Sequence, residues 1–213
     1  MILDFSKDTG VKYSIKCVNN SAASWYFYIY QRMLNQADSG IYSMAWMASP
    51  YKLSVQSYIT FTWSADYSFF WFDTGALQPN VIPFAGGIQD AALPLANYTA
   101  FDVKNDTPQL AVPTGSDVQD QFSILPGADI PNGVFSTGIG MSGFATFVQQ
   151  SFINVMQSFG TNASFWVAAS TNQVNVNQVL VQTDSLNSIS FSFPSNIYSL
   201  TAVLQANNTW ILQ

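Results

Sequence analysis

The sequence predicts an all-β fold: a single-domain β-sandwich of antiparallel strands with long central loops, spanning residues 1–213. Three observations predict it. Apolar and polar residues alternate at a period of two in segment after segment, the pattern of strands with one buried face. Turn-forming residues recur at about the 8–12 residue spacing of sandwiches and barrels. The chain has 17 Phe, 10 Tyr and 6 Trp but no glutamate, a composition that suits a pleated surface better than a helix.

The elements follow in order. Residues 10–19 set Val11, Tyr13, Ile15 and Cys17 against Lys12, Ser14 and Lys16, a half-buried strand. Residues 25–31 are a run of aromatic and β-branched side chains. Strands over 41–47 and 53–63 are separated by the breaker Ser49-Pro50. The clearest pattern covers residues 59–73. One face carries Ile59, Phe61, Trp63, Ala65, Tyr67, Phe69 and Trp71; the other carries Thr60, Thr62, Ser64, Asp66 and Ser68, then turns apolar at Phe70 and Phe72. Such a length exceeds an ordinary strand, so a bend or bulge is expected near Ala65 and Asp66.

From Asp73-Thr74-Gly75 to Pro131-Asn132-Gly133 the chain is rich in turn signals, Gly86-Gly87 among them, with short strands expected over 98–103 and 119–125. The last third returns to strands over 143–149, 164–169, 174–182, 188–193, 197–205 and 210–212, with Asn207-Asn208 as a hairpin turn. Residues 144–159 are ambiguous, because Phe144, Val148, Phe152 and Phe159 also recur at helical spacing. The Thr/Phe/Val content favours strand in the first half, and a helical turn around 153–158 is the alternative.

Composition excludes more functions than it suggests. With no histidine, the chain lacks the side chain that titrates near neutrality, and Ser-His-acid or Cys-His nucleophile pairs cannot form within it. The lone Cys17 cannot build a thiolate zinc site and fits a reducing compartment or a lineage without disulfides. A formal net charge of −6 with only six basic residues argues against nucleic acid. Charged residues make up 8% of the chain, and after Asp129 only Asp184 carries charge, so the surface must be neutral and polar or covered. No apolar run reaches the ~20 residues of a membrane span, and the N-terminus lacks the apolar core of a signal peptide. The expectation is a soluble cytoplasmic or otherwise intracellular protein, with no membrane or nucleic-acid partner. At 23.4 kDa the folded chain would bury roughly 70% of its surface, ample for a core without disulfides.

Five stretches resemble the RhiA-like family, bacterial proteins with fungal relatives. They are Cys-Val-Asn-Asn-Ser at 17–21, Met-Ala-Trp-Met-Ala-Ser-Pro at 44–50, Phe-Thr-Trp-Ser-Ala-Asp-Tyr-Ser-Phe-Phe-Trp at 61–71, Gly-Ile-Gly-Met-Ser-Gly at 138–143, and Asn-Ile-Tyr-Ser-Leu-Thr-Ala-Val-Leu at 196–204 followed by Trp210. The resemblance implies a β-sandwich and carries no catalytic residues. In size, charge poverty and aromatic load the chain is also similar to the pink chromoprotein of an oyster-type mushroom. No motif residues align with it. That likeness implies a β-rich holder of a non-covalent indolone-type chromophore with a metal ion.

Three constellations invite a functional reading. Trp63, Tyr67, Phe69 and Trp71, with Trp46 nearby, would line a stacking pocket for a flat aromatic ligand if they are not simply core. Asp66 and Asp73 flank that block and suit a hard divalent cation, Mg²⁺ or Ca²⁺; Asp102/Asp106 and Asp117/Asp120 are further close pairs. Gly138, Gly140 and Gly143 have dinucleotide-motif spacing. Their strand-like flanks, and the lack of an acid about 20 residues on, point instead to a bulge or close strand crossing. The function expected is a non-enzymatic small-molecule (pigment or chromophore) binding protein with an aromatic-lined pocket. A structural, storage or self-assembling protein and a carbohydrate-binding lectin are the alternatives. A two-fold homodimer would bury the charge-poor C-terminal third.

Overall fold

The computed structural model describes residues 1–4, 10–33, 36, 39–181 and 187–213. These hold eighteen strands and no α-helix, so none of them forms a helix long and apolar enough to cross a membrane. The chain first lays down β1 (Ile2–Asp4), β2 (Lys12–Asn19), β3 (Tyr26–Met33), β4 (Ile41–Ser43), β5 (Met47–Ala48) and β6 (Tyr58–Ser64). After a corner at 65–66 come β7 (Tyr67–Asp73), β8 (Ala85–Ala91), β9 (Tyr98–Lys104), β10 (Thr107–Leu110), β11 (Gln121–Pro126), β12 (Phe135–Met141), β13 (Phe144–Gln150) and β14 (Gln157–Gly160). Then follow β15 (Ala163–Ser170), β16 (Ser188–Phe191), β17 (Ser199–Leu204) and β18 (Trp210–Leu212).

The strands form four sheets, which pair through two cores. Sheet β1-β6-β2-β17-β18 faces sheet β16-β15-β3-β5. Between them lie Ile15, Phe61 and Trp63 from the first and Phe27, Ile29 and Val167 from the second. Sheet β4-β13-β12-β7-β8 faces sheet β10-β9-β11-β14, with Phe69, Ile139 and Phe147 against Phe101, Phe122 and Phe159. Residues 67–160 therefore build a second sandwich inserted between β6 and β15, and β4 completes one of its edges. The all-β fold agrees with the sequence pattern. Most ladders are antiparallel, but β1–β6, β2–β17 and β9–β11 run parallel. Parallel neighbours need a crossover connection, and for β2–β17 the entire second sandwich lies in that crossover.

The corner at 65–66 breaks the long alternating segment into two strands of different sheets, and buried polar groups pin it. Ser142 and Gly143 both have positive φ (52° and 80°), the geometry of a two-residue hairpin turn joining β12 to β13. The Ser142 hydroxyl accepts from Ser64 N and donates to Ser64 O, both at 2.9 Å. Ser142 N donates to Asp66 O at 3.0 Å, and Ser64 Oγ to Asp66 Oδ2 at 2.5 Å. Preceding that turn, a Cβ at Gly138 or Gly140 would overlap the carbonyl oxygen of Phe147 or Phe144, and the ladder register shifts between Ile139 and Gly140. The glycine block is thus a bulge and a close strand crossing, as its flanks imply.

Two strand expectations change. Gly86-Gly87 lies inside β8 rather than in a turn, because Trp71 and Phe72 of the neighbouring strand fold their rings across the two glycines. Residues 174–181 form no regular strand; Gln182, the end of that expected element, lies outside the described residues. The segment is a strap hydrogen-bonded to residues 43–45 on one side and 80–81 on the other. Its Val174, Val176 and Leu180 cover the outer face of β3 and β15, and Val179 covers the outer face of β7 and β13.

Candidate functional site

The five aromatic residues singled out in the sequence fall into two groups. Trp46 and Trp63 are fully buried in the first core, edge to face with ring centroids 5.2 Å apart. Trp46 Nε1 donates to Met141 O at 3.0 Å, so its one polar atom is satisfied inside the protein. Around Trp63 gather Tyr13, Phe165, Phe191 and Phe193, with centroids 5.6–6.4 Å away. Phe69 is fully buried in the second core against Phe122. Trp71 stacks on Phe101 at 5.8 Å and meets Phe135 edge-on. Tyr67 is half-buried between the two cores, tilted over Phe122 at 4.8 Å. Burial, and secondarily the neighbouring Tyr13, raises its hydroxyl pKa above the ordinary phenol value. The structure therefore packs all five against other rings and spreads them over two cores, because the corner at 65–66 sends Trp63 into a different sheet from its three neighbours.

The aspartates separate likewise. Asp66 is at the corner, engaged by Ser64, and Asp73 ends β7, about 23 Å away along the strand. Asp102 Oδ1 accepts from Val103 N. Among the described residues no three His, Cys, Asp or Glu side chains come close enough to hold one metal ion.

The opposite face of β7 is buried under the strap and Leu77, and a groove opens along its edge: Ser68, Phe70 and Phe72 are 1–6% exposed. Because side chains alternate along a strand, Ser68, Phe70 and Phe72 face away from the second core. The rings of Phe70 and Phe72 stack on each other, 5.7 Å apart and 10° from parallel, and only their edges reach the base of a groove of about 430 Å³. Glycine at position 86 leaves room for the Phe72 ring, with which any side chain there would collide. Ile82, Phe84 and Ile88 form the rim, and Phe84 is 91% exposed, an unusual position for a phenyl ring. The opposite wall is the hairpin turn at Gly143 and the strap residues Val176 and Asn177. Asn177 Oδ1 accepts from Ala145 N at 3.3 Å, and its Nδ2 has no partner among the described residues, which leaves one amide donor at the wall. No charged side chain lines the groove. Ser68, on the same strand face, keeps a buried hydroxyl without a partner among the described residues.

One sequence signal pointed here: the polar face of residues 59–73 turns apolar at Phe70 and Phe72. The rim residues gave none, since Phe84-Ala85-Gly86-Gly87 reads as a turn.

Residues 10–213 match the family model described as RhiA. The chain belongs to the RhiA family. Protein RhiA of Rhizobium leguminosarum bv. viciae is 40% identical over 201 residues, covering 94% of this chain and 86% of that protein. No solved structure matches the chain.

Proposed function

We propose that this RhiA-family protein is a non-catalytic binding protein for a small, flat, uncharged molecule such as an aromatic pigment, held in the groove over Phe70 and Phe72. The observation that carries this reading is the rim: Phe84, 91% exposed, stands with the exposed Ile82 and Ile88 around an uncharged opening whose base is the edge of the buried Phe70/Phe72 pair. The volume of the opening lies within the ~300–1,000 Å³ typical of small-ligand sites. Offset stacking on the exposed Phe84 ring would add about 0.5–1.5 kcal/mol to the area term, and the Asn177 amide would orient a carbonyl or ring nitrogen. The lack of any histidine or glutamate supports binding over catalysis.

The test is a titration with Nile red, a flat neutral dye whose emission rises on entering an apolar site. Phe84→Ser and Ile88→Lys alter exposed rim positions and leave the fold intact, so each should weaken binding about tenfold, or roughly 1.4 kcal/mol. Native mass spectrometry of protein purified from its source should show a bound small molecule. Equal dye affinity in the wild type and both rim variants would refute the groove as the site.

A further inference from the structure

The outer face of sheet β1-β6-β2-β17-β18 carries a second concavity, of about 790 Å³, whose side chains fall into rows. Ile15, Cys17, Ile59, Ala202 and Leu204 point into the first core. Strand alternation therefore turns Lys16, Val18, Tyr58, Thr201 and Val203 outward. The register places Tyr58, Val18, Val203 and Ile211 side by side across four strands. This is an apolar row about 14 Å long, in which Val18, Val203 and Ile211 line the concavity, Val203 being 8% exposed, and Tyr58 continues the row beyond it.

Hydrogen-bonding side chains flank the row on both sides. On one side Lys16 pairs with Thr201, which exchanges backbone hydrogen bonds with Gln213. On the other, Asn20 and Gln205 extend from the ends of β2 and β17. The side-chain amides of Asn20, Gln205 and Gln213 have no hydrogen-bond partner among the described residues, so each offers a donor and an acceptor to a ligand. Lys16, the one charged residue lining the concavity, holds its ammonium 4.3 Å from the Tyr58 ring centroid.

An apolar strip bordered by neutral amides matches a sugar ring, which has a C–H face and a periphery of hydroxyls that both donate and accept. An acidic ligand would meet a single lysine and a protein of net charge −6. A flat apolar molecule would leave the amides on both borders unused. We propose that this face binds a neutral oligosaccharide of a few residues, lying along the row from Tyr58 to Ile211. The site is on a different sheet from the Phe70/Phe72 groove and does not depend on it.

Isothermal titration of the full chain with maltotriose, cellotriose, laminaritriose and triacetylchitotriose tests the proposal. At least one should bind with a Kd below about 10 mM. Val18→Asp, which puts a charge in the apolar row, should weaken that binding about tenfold. The double variant Asn20→Ala/Gln205→Ala changes only surface amides. It should weaken binding by a similar factor and keeps the test valid if Val18→Asp fails to fold. Ile88→Lys, in the groove, should leave it unchanged. The proposal is overturned if none of the four sugars binds, or if the bound sugar keeps its affinity in the double variant.

Discussion

Cys17 has no exposed surface, and burial in the first core raises its thiol pKa far above the ordinary value. The unfolded chain keeps a thiol that ionises near pH 8.5. Above that pH the unfolded state has lost a proton that the folded state retains, so stability must fall as pH rises. The expected decline between pH 8.5 and 9.5 is about 1 kcal/mol, steepening towards about 1.4 kcal/mol per pH unit above it. Urea unfolding at pH 8.5, 9.0 and 9.5 should show this decline in the wild type and its loss in Cys17→Ala. That range stays below the Tyr67 hydroxyl, whose raised pKa begins to act only above about 10. The same burial makes the thiol slow to react with a disulfide reagent in the native protein. A lone cysteine in a sequence suggests a reducing compartment or a reactive group; its place opposite Ile59 and beside Ala202 makes it a small core residue.

At the scale of the element, β7 has two faces with different consequences. Trp71 lies on the core face, stacked on Phe101 and folded over Gly87. Trp71→Ala should therefore cost about 3 kcal/mol in urea unfolding. Trp71→Phe, which keeps a ring on Phe101, should leave dye binding in the groove unchanged, because the groove is on the other face. A loss of dye affinity in folded Trp71→Phe would place the ligand between the sheets instead. The alternation along residues 59–73 was legible from the sequence, and so was the bend at Ala65 and Asp66. Which sheet each half joins was not. Period-two patterning is a local property, whereas sheet membership is decided by partners far along the chain: β2 pairs with β6, and β12 with β7. The candidate site was hidden for a related reason. A ring folding across Gly86 turns a glycine pair that reads as a turn into part of a strand. Only pairing with Phe72 brings that about, and no spacing rule encodes it.

At the scale of the molecule, the two sandwiches share polar and apolar ties that should make them unfold together. β4 belongs to the second sandwich but lies between β3 and β5, which belong to the first. The strap at 174–181 packs Val174 and Val176 on the outside of β3 and β15, and Val179 on the outside of β7 and β13. Ser142 clamps the corner between β6 and β7 from within the second sandwich. Two of the sequence stretches that resemble the family, residues 61–71 and 138–143, meet at that clamp, which gives them a structural role in this chain. Of the six tryptophans, only Trp71 lies in the second sandwich, so fluorescence reports mainly on the first, whereas far-UV circular dichroism reports on both. In wild-type protein the two urea transitions should coincide, the signature of a single cooperative unit. Val179→Asn places an amide in an apolar contact that spans the two halves, and Ser142→Ala strips the clamp of its hydroxyl. The double variant should separate the transitions, with the second sandwich melting first because its ladder to the strap and its corner are both weakened. Two resolved transitions in the wild type would show instead that each core is stable without the other, and that the strap and clamp orient the sandwiches without coupling them.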